Sequence, residues 1–159
     1  MDETAMPAYL RYTGELYRHG ADAIAAGVAV GHHILIISGA YGVVLANEGI
    51  GWYEKRLRPS DWPRGLLEDC ILDYARRQRI SSIVALVART SPYAKVMSRT
   101  KAVSGPIDVR ILSPIIGKGE GAQGKVPRAQ GQAVAAILGG LWNERWRSSE
   151  GLALAPQDG

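Results

Sequence analysis

A chain of 159 residues with 47% apolar side chains can bury one core and is too short to make two ordinary domains the expectation. Its single cysteine, Cys70, excludes an internal disulfide, and no Cys/His group has zinc-site spacing; the net charge of +4 favours anionic ligands without choosing among nucleic acid, nucleotides and phosphorylated metabolites. The acidic start Met1-Asp2-Glu3-Thr4 is unlike a signal peptide, and the apolar stretch Ile34 to Ile37 is too short to span a bilayer, so a cytoplasmic protein without a membrane segment is expected.

Between Pro7 and about Ala29, Leu10, Tyr17, Ala21, Ile24 and Ala25 recur at helical spacing, but Gly14, Gly20 and Gly27 argue for one or two short helices over one long one. The run His32 to Ile37 is apolar and branched, as a strand covered on both faces would be, and it ends at Ser38-Gly39. Tyr41 to Leu45 fits a second short strand or a turn of helix. Ser60-Asp61-Trp62-Pro63 supplies an N-cap and an early proline, which predicts a helix from about Trp62 to Arg77.

Ile83 to Ala88 reads as another buried strand, and Ser91-Pro92 as the start of a helix reaching Lys101. Val109 to Leu112 is a third strand candidate. Pro127 opens the longest helix, with Val134, Ile137, Leu138, Leu141 and Trp142 on one face, and Gly139-Gly140 suggests a close backbone approach. Strands alternating with helices predict the α/β class: a single compact domain over residues 1–147, with a mixed or mostly parallel sheet flanked by helices, and a flexible tail over 148–159.

Chemistry is expected first at Ser38-Gly39-Ala40-Tyr41-Gly42, where Gly39 and Gly42 free the backbone to turn and Ser38 and Tyr41 offer hydroxyls; a tight strand-to-loop turn accounts for the same residues. Glu48, in a polar break just beyond, is the candidate catalytic carboxylate, or else a solvated loop residue. Tyr53, beside Trp52 and Glu54, offers a face for stacking a base, unless Trp52 belongs to the core. Lys118, Lys125 and Arg128 surround the glycine-rich segment 117–124. A cation in the first turn of a helix gains nothing from the macrodipole, so Arg128 suggests an anion to meet. His32 and His33 would point to opposite faces of a strand and make a poor metal pair, and no metal or other cofactor is predicted.

Taken in order, these pieces resemble the YaaA-like peroxide-stress family. Tyr12-Thr13-Gly14-Glu15-Leu16-Tyr17 is similar to its tyrosine-x-glycine-x-x-tyrosine entry motif, and Ser38-Gly39-Ala40-Tyr41-Gly42-Val43-Val44 to its serine-glycine-x-tyrosine-glycine signature. Glu48 falls at the family's usual aspartate, Tyr93-Ala94-Lys95-Val96 resembles its later tyrosine-phenylalanine-lysine-x-valine segment, and Lys125, Arg128 and Gly131 resemble the start of its last helix. Full-length members carry a further N-terminal region; here Trp52 also stands for a family proline and Arg56 for a glutamate, as in a shortened, divergent member.

The resemblance implies a basic cleft that binds nucleic acid or a nucleotide, with a role in the peroxide response. The ligand-binding set would be Gly39, Gly42, Tyr53, Tyr93, Lys95, Lys125 and Arg128. The alternative is an enzyme acting on a nucleoside or nucleotide, such as an N-glycosidic hydrolase, with Glu48, Tyr41 and Ser38 as its catalytic residues.

Overall fold

A computed structural model describes residues 4–117 and 124–157, so Lys118 and most of the glycine-rich segment lie outside the described residues. The α/β class is the one observed. The chain divides into two compact units, one made of Met1–Ile36, Val44–Glu54 and Pro114–Leu154, the other of Ile37–Val43, Lys55–Ser113 and Ala155–Gly159.

In the first unit a short strand, β1 (Met6–Pro7), pairs antiparallel with β4 (Gly49–Ile50), Met6 standing opposite Ile50. Helix α1 (Ala8–Arg11) starts by donating the Ala8 and Tyr9 amides to the Glu48 and Ala46 carbonyls, at 2.9 and 3.0 Å. Helix α2 (Glu15–Ala29) follows; of the short helices expected only α1 is short, since α2 runs 15 residues straight through Gly20 and Gly27. The core joins Ala8, Ile24, Ile36, Val44, Ala46 and Ile50, with Tyr12, Tyr17 and Tyr53 packed against it.

Helix α5 (Lys125–Leu138), one residue shorter than α2 and so not the longest helix, lies against α2, and although Val134 packs on the core, the fully buried face differs from the one that spacing of the large residues suggests. The buried side chains are Val126, Ala129, Gln130, Gly131, Ala133 and Ala136, whereas Leu141 lies past the helix end and is exposed. Small residues let two backbones approach, and dispersion contacts along the whole crossing then outweigh what one leucine would gain. That approach occurs at Gly20 and Gly131: a Cβ on Gly20 would stand 3.4 Å from the Gly131 Cα. Gly139 and Gly140 instead close the helix, Gly140 with φ of 70°, which a glycine adopts without strain.

Strands β2 (Leu35–Ser38) and β3 (Gly42–Leu45) form a two-stranded sheet. Only three residues join them, which permits an antiparallel hairpin and no parallel pairing. Ile37–Val43, the turn end of this hairpin, belongs to the second unit.

The second unit is built on β5 (Ser82–Leu86) and β6 (Asp108–Pro114), which run parallel from Ser82 opposite Asp108 to Leu86 opposite Leu112. The crossover is α4 (Pro92–Ala102), which packs on α3 (Leu66–Arg77). Ser91 caps α4 as its sequence predicts, its Oγ accepting the Ala94 amide at 3.2 Å. Ser91→Ala is expected to lower stability by about 1 kcal/mol, read from the urea midpoint at unchanged slope.

Helix α3 begins four residues later than the Ser60-Asp61 signal suggests. Pro59–Asp61 closes a short 3-10 turn, Trp62 is extended at φ −113° and ψ 145°, and Gly65 is left-handed at φ 84° before the helix starts. The proline after Trp62 disfavours the helical conformation there, so the turn cannot run on into the helix.

The segment expected to be a flexible tail carries β7 (Leu154–Pro156), which joins the sheet on the far side of β6 in the order β5-β6-β7. The Gln157 amide donates to the Ile111 carbonyl at 2.8 Å, and Leu152 and Leu154 are buried. Apolar burial and strand pairing tie this segment down through residue 157. Among the described residues no helix is long and apolar enough to cross a membrane.

Candidate functional site

Of the residues singled out by the sequence, Ser38, Gly39, Tyr41, Gly42, Tyr93 and Lys95 belong to the second unit, while Glu48, Tyr53, Lys125 and Arg128 belong to the first. The hairpin turn consumes most of the chemistry of the glycine signature. Ser38 is 1% exposed, and its Oγ accepts the Ala40 and Tyr41 amides at 3.3 and 3.1 Å, which fixes the turn from inside. A Cβ on Gly39 would lie 2.8 and 2.9 Å from backbone atoms of Arg56 and Leu57. The backbone that Gly39 admits is thus the chain's own. Gly42, at φ 79°, faces the Trp62 ring at about 3.2 Å from where a Cβ would stand. Tyr41 remains exposed at the turn, as do Tyr93 and Lys95 in the first turn of α4.

Glu48 is exposed and its Oε2 accepts the Leu45 amide at 3.1 Å, a contact that closes the link between β3 and β4. Arg128 does meet an anion, and it is Glu150: Nε and Nη2 both approach the same Oε1, at 2.7 and 2.6 Å. The adjoining Gln132 side chain donates to Ser149 Oγ and accepts the Ser149 amide, each at 2.8 Å. The charge that suggested a phosphate is therefore matched within the fold.

What the first unit brings together is a different group. Tyr12, between α1 and α2, stacks on Tyr17 with ring centroids 5.0 Å apart and meets Tyr53 edge-on at 6.1 Å. The Tyr12 and Tyr53 hydroxyls are hydrogen bonded at 2.5 Å. These rings line an open cleft of about 490 Å³ together with Arg11, Trp52 and Glu54, the first turn of α2 from Gly14 to Leu16, and Pro127 of α5. Glu48, Lys125 and Arg128 are not part of its wall.

The local sequence explains the cleft. Gly14 is extended at φ −65° and ψ 166° and stands immediately before α2, which sets Tyr17 in the first turn of the helix. After β4 the chain passes through Gly51 into Trp52-Tyr53-Glu54. Tyr53 points toward the core, whereas Trp52 is 55% exposed on the wall and is not a core residue.

Arg11 is fixed by Nη2, which donates to the Thr4 and Ile50 carbonyls at 2.9 and 3.2 Å. Of the two carboxylates on the wall, Glu15 is engaged by Arg18 at 3.1 Å and His19 at 3.4 Å. Reasoning from the sequence set Trp52 and Glu54 beside Tyr53 but missed Arg11 and the grouping of this segment with Tyr12 and Tyr17 in one cleft. The available signal was compositional: the chain has seven tyrosines and four tryptophans but no phenylalanine, so every aromatic ring carries a polar handle, and four of them fall in two short segments.

Among the described residues no group of three or more His, Cys, Asp or Glu is placed to hold a metal ion. The fold and cleft define an α/β protein with a tyrosine-lined cleft at the start of its second helix. Comparison with protein-family models, with curated proteins and with solved structures finds no match.

Proposed function

We propose that the chain is a YaaA-like nucleotide-binding protein whose ligand enters the cleft of Tyr12, Tyr17, Trp52 and Tyr53. The observation that carries this reading is that three residues of the tyrosine-x-glycine-x-x-tyrosine motif, Tyr12, Gly14 and Tyr17, line one cleft with Tyr53. A role in the peroxide response goes with that assignment, through the resemblance. Exposed Trp52 offers a π-face that any base can stack on, and the tyrosine hydroxyls and Glu54 offer polar partners for ribose or base edges.

A free nucleoside or nucleotide fits the cleft better than a long polyanion does. Glu15 and Glu54 bring negative charge to the wall, Arg128 is neutralised by Glu150, and tracking a phosphate backbone takes a row of uncompensated cations. The enzymatic alternative keeps one specific support. Glu54, unlike Glu48, is a carboxylate of the cleft, and it would be the group to assist N-glycosidic cleavage.

Titration with the four common ribonucleosides and their 5′-monophosphates, followed by calorimetry, is expected to reveal binding by at least one base. Trp52→Ala should weaken it by roughly 1–3 kcal/mol, the range for losing one stacked base, without changing the urea midpoint. Absence of binding across the whole panel, or full affinity in Trp52→Ala, would remove the proposal. Release of free base that persists in Glu48→Gln and is lost in Glu54→Gln would establish the hydrolase instead.

A further inference from the structure

We infer that the cleft reads an anionic group on its ligand, a phosphate in the first instance, and that Arg11 is the residue that holds it. The inference rests on the nucleotide-binding reading and adds the chemistry that separates a nucleotide from a nucleoside.

The support is the state of the Arg11 side chain. Its Nη2 is held by two main-chain carbonyls, those of Thr4 and Ile50. Carbonyls orient a guanidinium without cancelling its charge. Among the described residues no carboxylate lies within ion-pair distance of it, although Glu15 and Glu54 share its cleft, and Glu15 is already taken by Arg18 and His19. Its Nε is shielded from solvent and has no hydrogen-bond partner among the described residues.

A buried donor left unmatched is unfavourable, and native structures tolerate one where a ligand or ion completes it. Arg11 is thus a cation held in place before any ligand arrives, in the lining of an aromatic cleft, and Nη1, which among the described residues is neither hydrogen bonded nor buried, is the donor it can offer. Phosphate and carboxylate are the groups whose paired oxygens match a guanidinium fork, and for a base-stacking site phosphate is the natural choice. Pre-ordering by Thr4 and Ile50 lowers the entropic penalty of engaging it.

The test compares each nucleoside with its 5′-monophosphate in the wild-type protein and in Arg11→Gln. In the wild type the monophosphate is expected to bind at least about tenfold more tightly, as a charge-assisted hydrogen bond to a desolvated site implies. In Arg11→Gln that preference should fall to within about twofold. Equal affinity for the two ligands in the wild type, or a preference that survives in Arg11→Gln, would overturn the assignment to Arg11 and leave base recognition standing. Failure of every ligand to bind the wild type would instead remove the underlying reading, and this inference with it.

Since Arg11 also ties Thr4 to Ile50, a measurement on the wild type decides the matter where the variant does not fold. The Arg11 Nε–H resonance in a 15N correlation spectrum is expected to move on adding the monophosphate and to stay in place with the nucleoside. A resonance unmoved by saturating monophosphate overturns the inference.

Discussion

Gly39→Ala is expected to destabilise the second unit by about 3 kcal/mol, at the upper end of the range for overpacking. The added Cβ would lie 2.8 Å from the Arg56 carbonyl carbon and 2.9 Å from the Leu57 amide nitrogen, and in front of the Lys55 carbonyl oxygen. All of these are main-chain atoms, so no rotamer change relieves the contact. Opposing it is the smaller entropy of an unfolded chain with alanine, about 0.4–1 kcal/mol, and the steric term wins. Gly39 does not have a positive φ, so the effect would be purely one of space. Urea denaturation of wild type and variant measures it. A midpoint unchanged within error would show that the chain does not pass this closely and would reopen the turn as a place for a ligand backbone contact.

Gly131→Ala should destabilise the first unit by about 2 kcal/mol, although alanine is the better helix former by about 1 kcal/mol in an open helix. A Cβ there would stand 2.8 Å from the His19 Cβ and 3.2 Å from the Gly20 amide nitrogen, and it would face the Leu16 carbonyl oxygen of α2. The two helices would have to separate along the Ala129, Ala133 and Ala136 face, exposing part of it. Gly20→Ala is the control. Its Cβ would meet Gly131 atoms at 3.4 Å, which is ordinary contact, so it is expected to be neutral or stabilising. The pair therefore predicts unequal effects for the same substitution on two helices that meet at this point, a loss at Gly131 and none at Gly20. Thermal or urea midpoints read both, and equal effects would refute the asymmetric crossing. Because Leu16 and Pro127 also border the cleft, the destabilised Gly131→Ala should bind nucleoside more weakly as well.

The resemblance was carried by residues that turn out to do two kinds of work. Ser38, Gly39 and Gly42 hold a hairpin turn, through amide capture, a close approach and a left-handed φ. Tyr12, Gly14, Tyr17 and Tyr53 line a cleft. Glycine and serine in a short loop meet structural and ligand-binding needs with the same atoms, so a turn and a binding loop read alike in one dimension.

Local chemistry in the sequence determined the α/β class, the presence of strands near Leu35–Ser38, Ser82–Leu86 and Asp108–Pro114, though not the burial on both faces expected of the first two, and the Ser91 cap. These depend on hydrogen bonds and side-chain periodicity over a few residues, which the order of residues records. Tertiary structure alone decided that α5 buries alanines and glycine and not Leu141, that Arg128 is answered by Glu150 and Gln157 by Ile111, and that Arg11 and Trp52 share a cleft. Each of these joins residues far apart in the chain, from 22 positions for Arg128 and Glu150 to 111 for Gly20 and Gly131. Which cation is neutralised and which stays open is set by the charges and carbonyls that folding places beside it, and no local pattern encodes that.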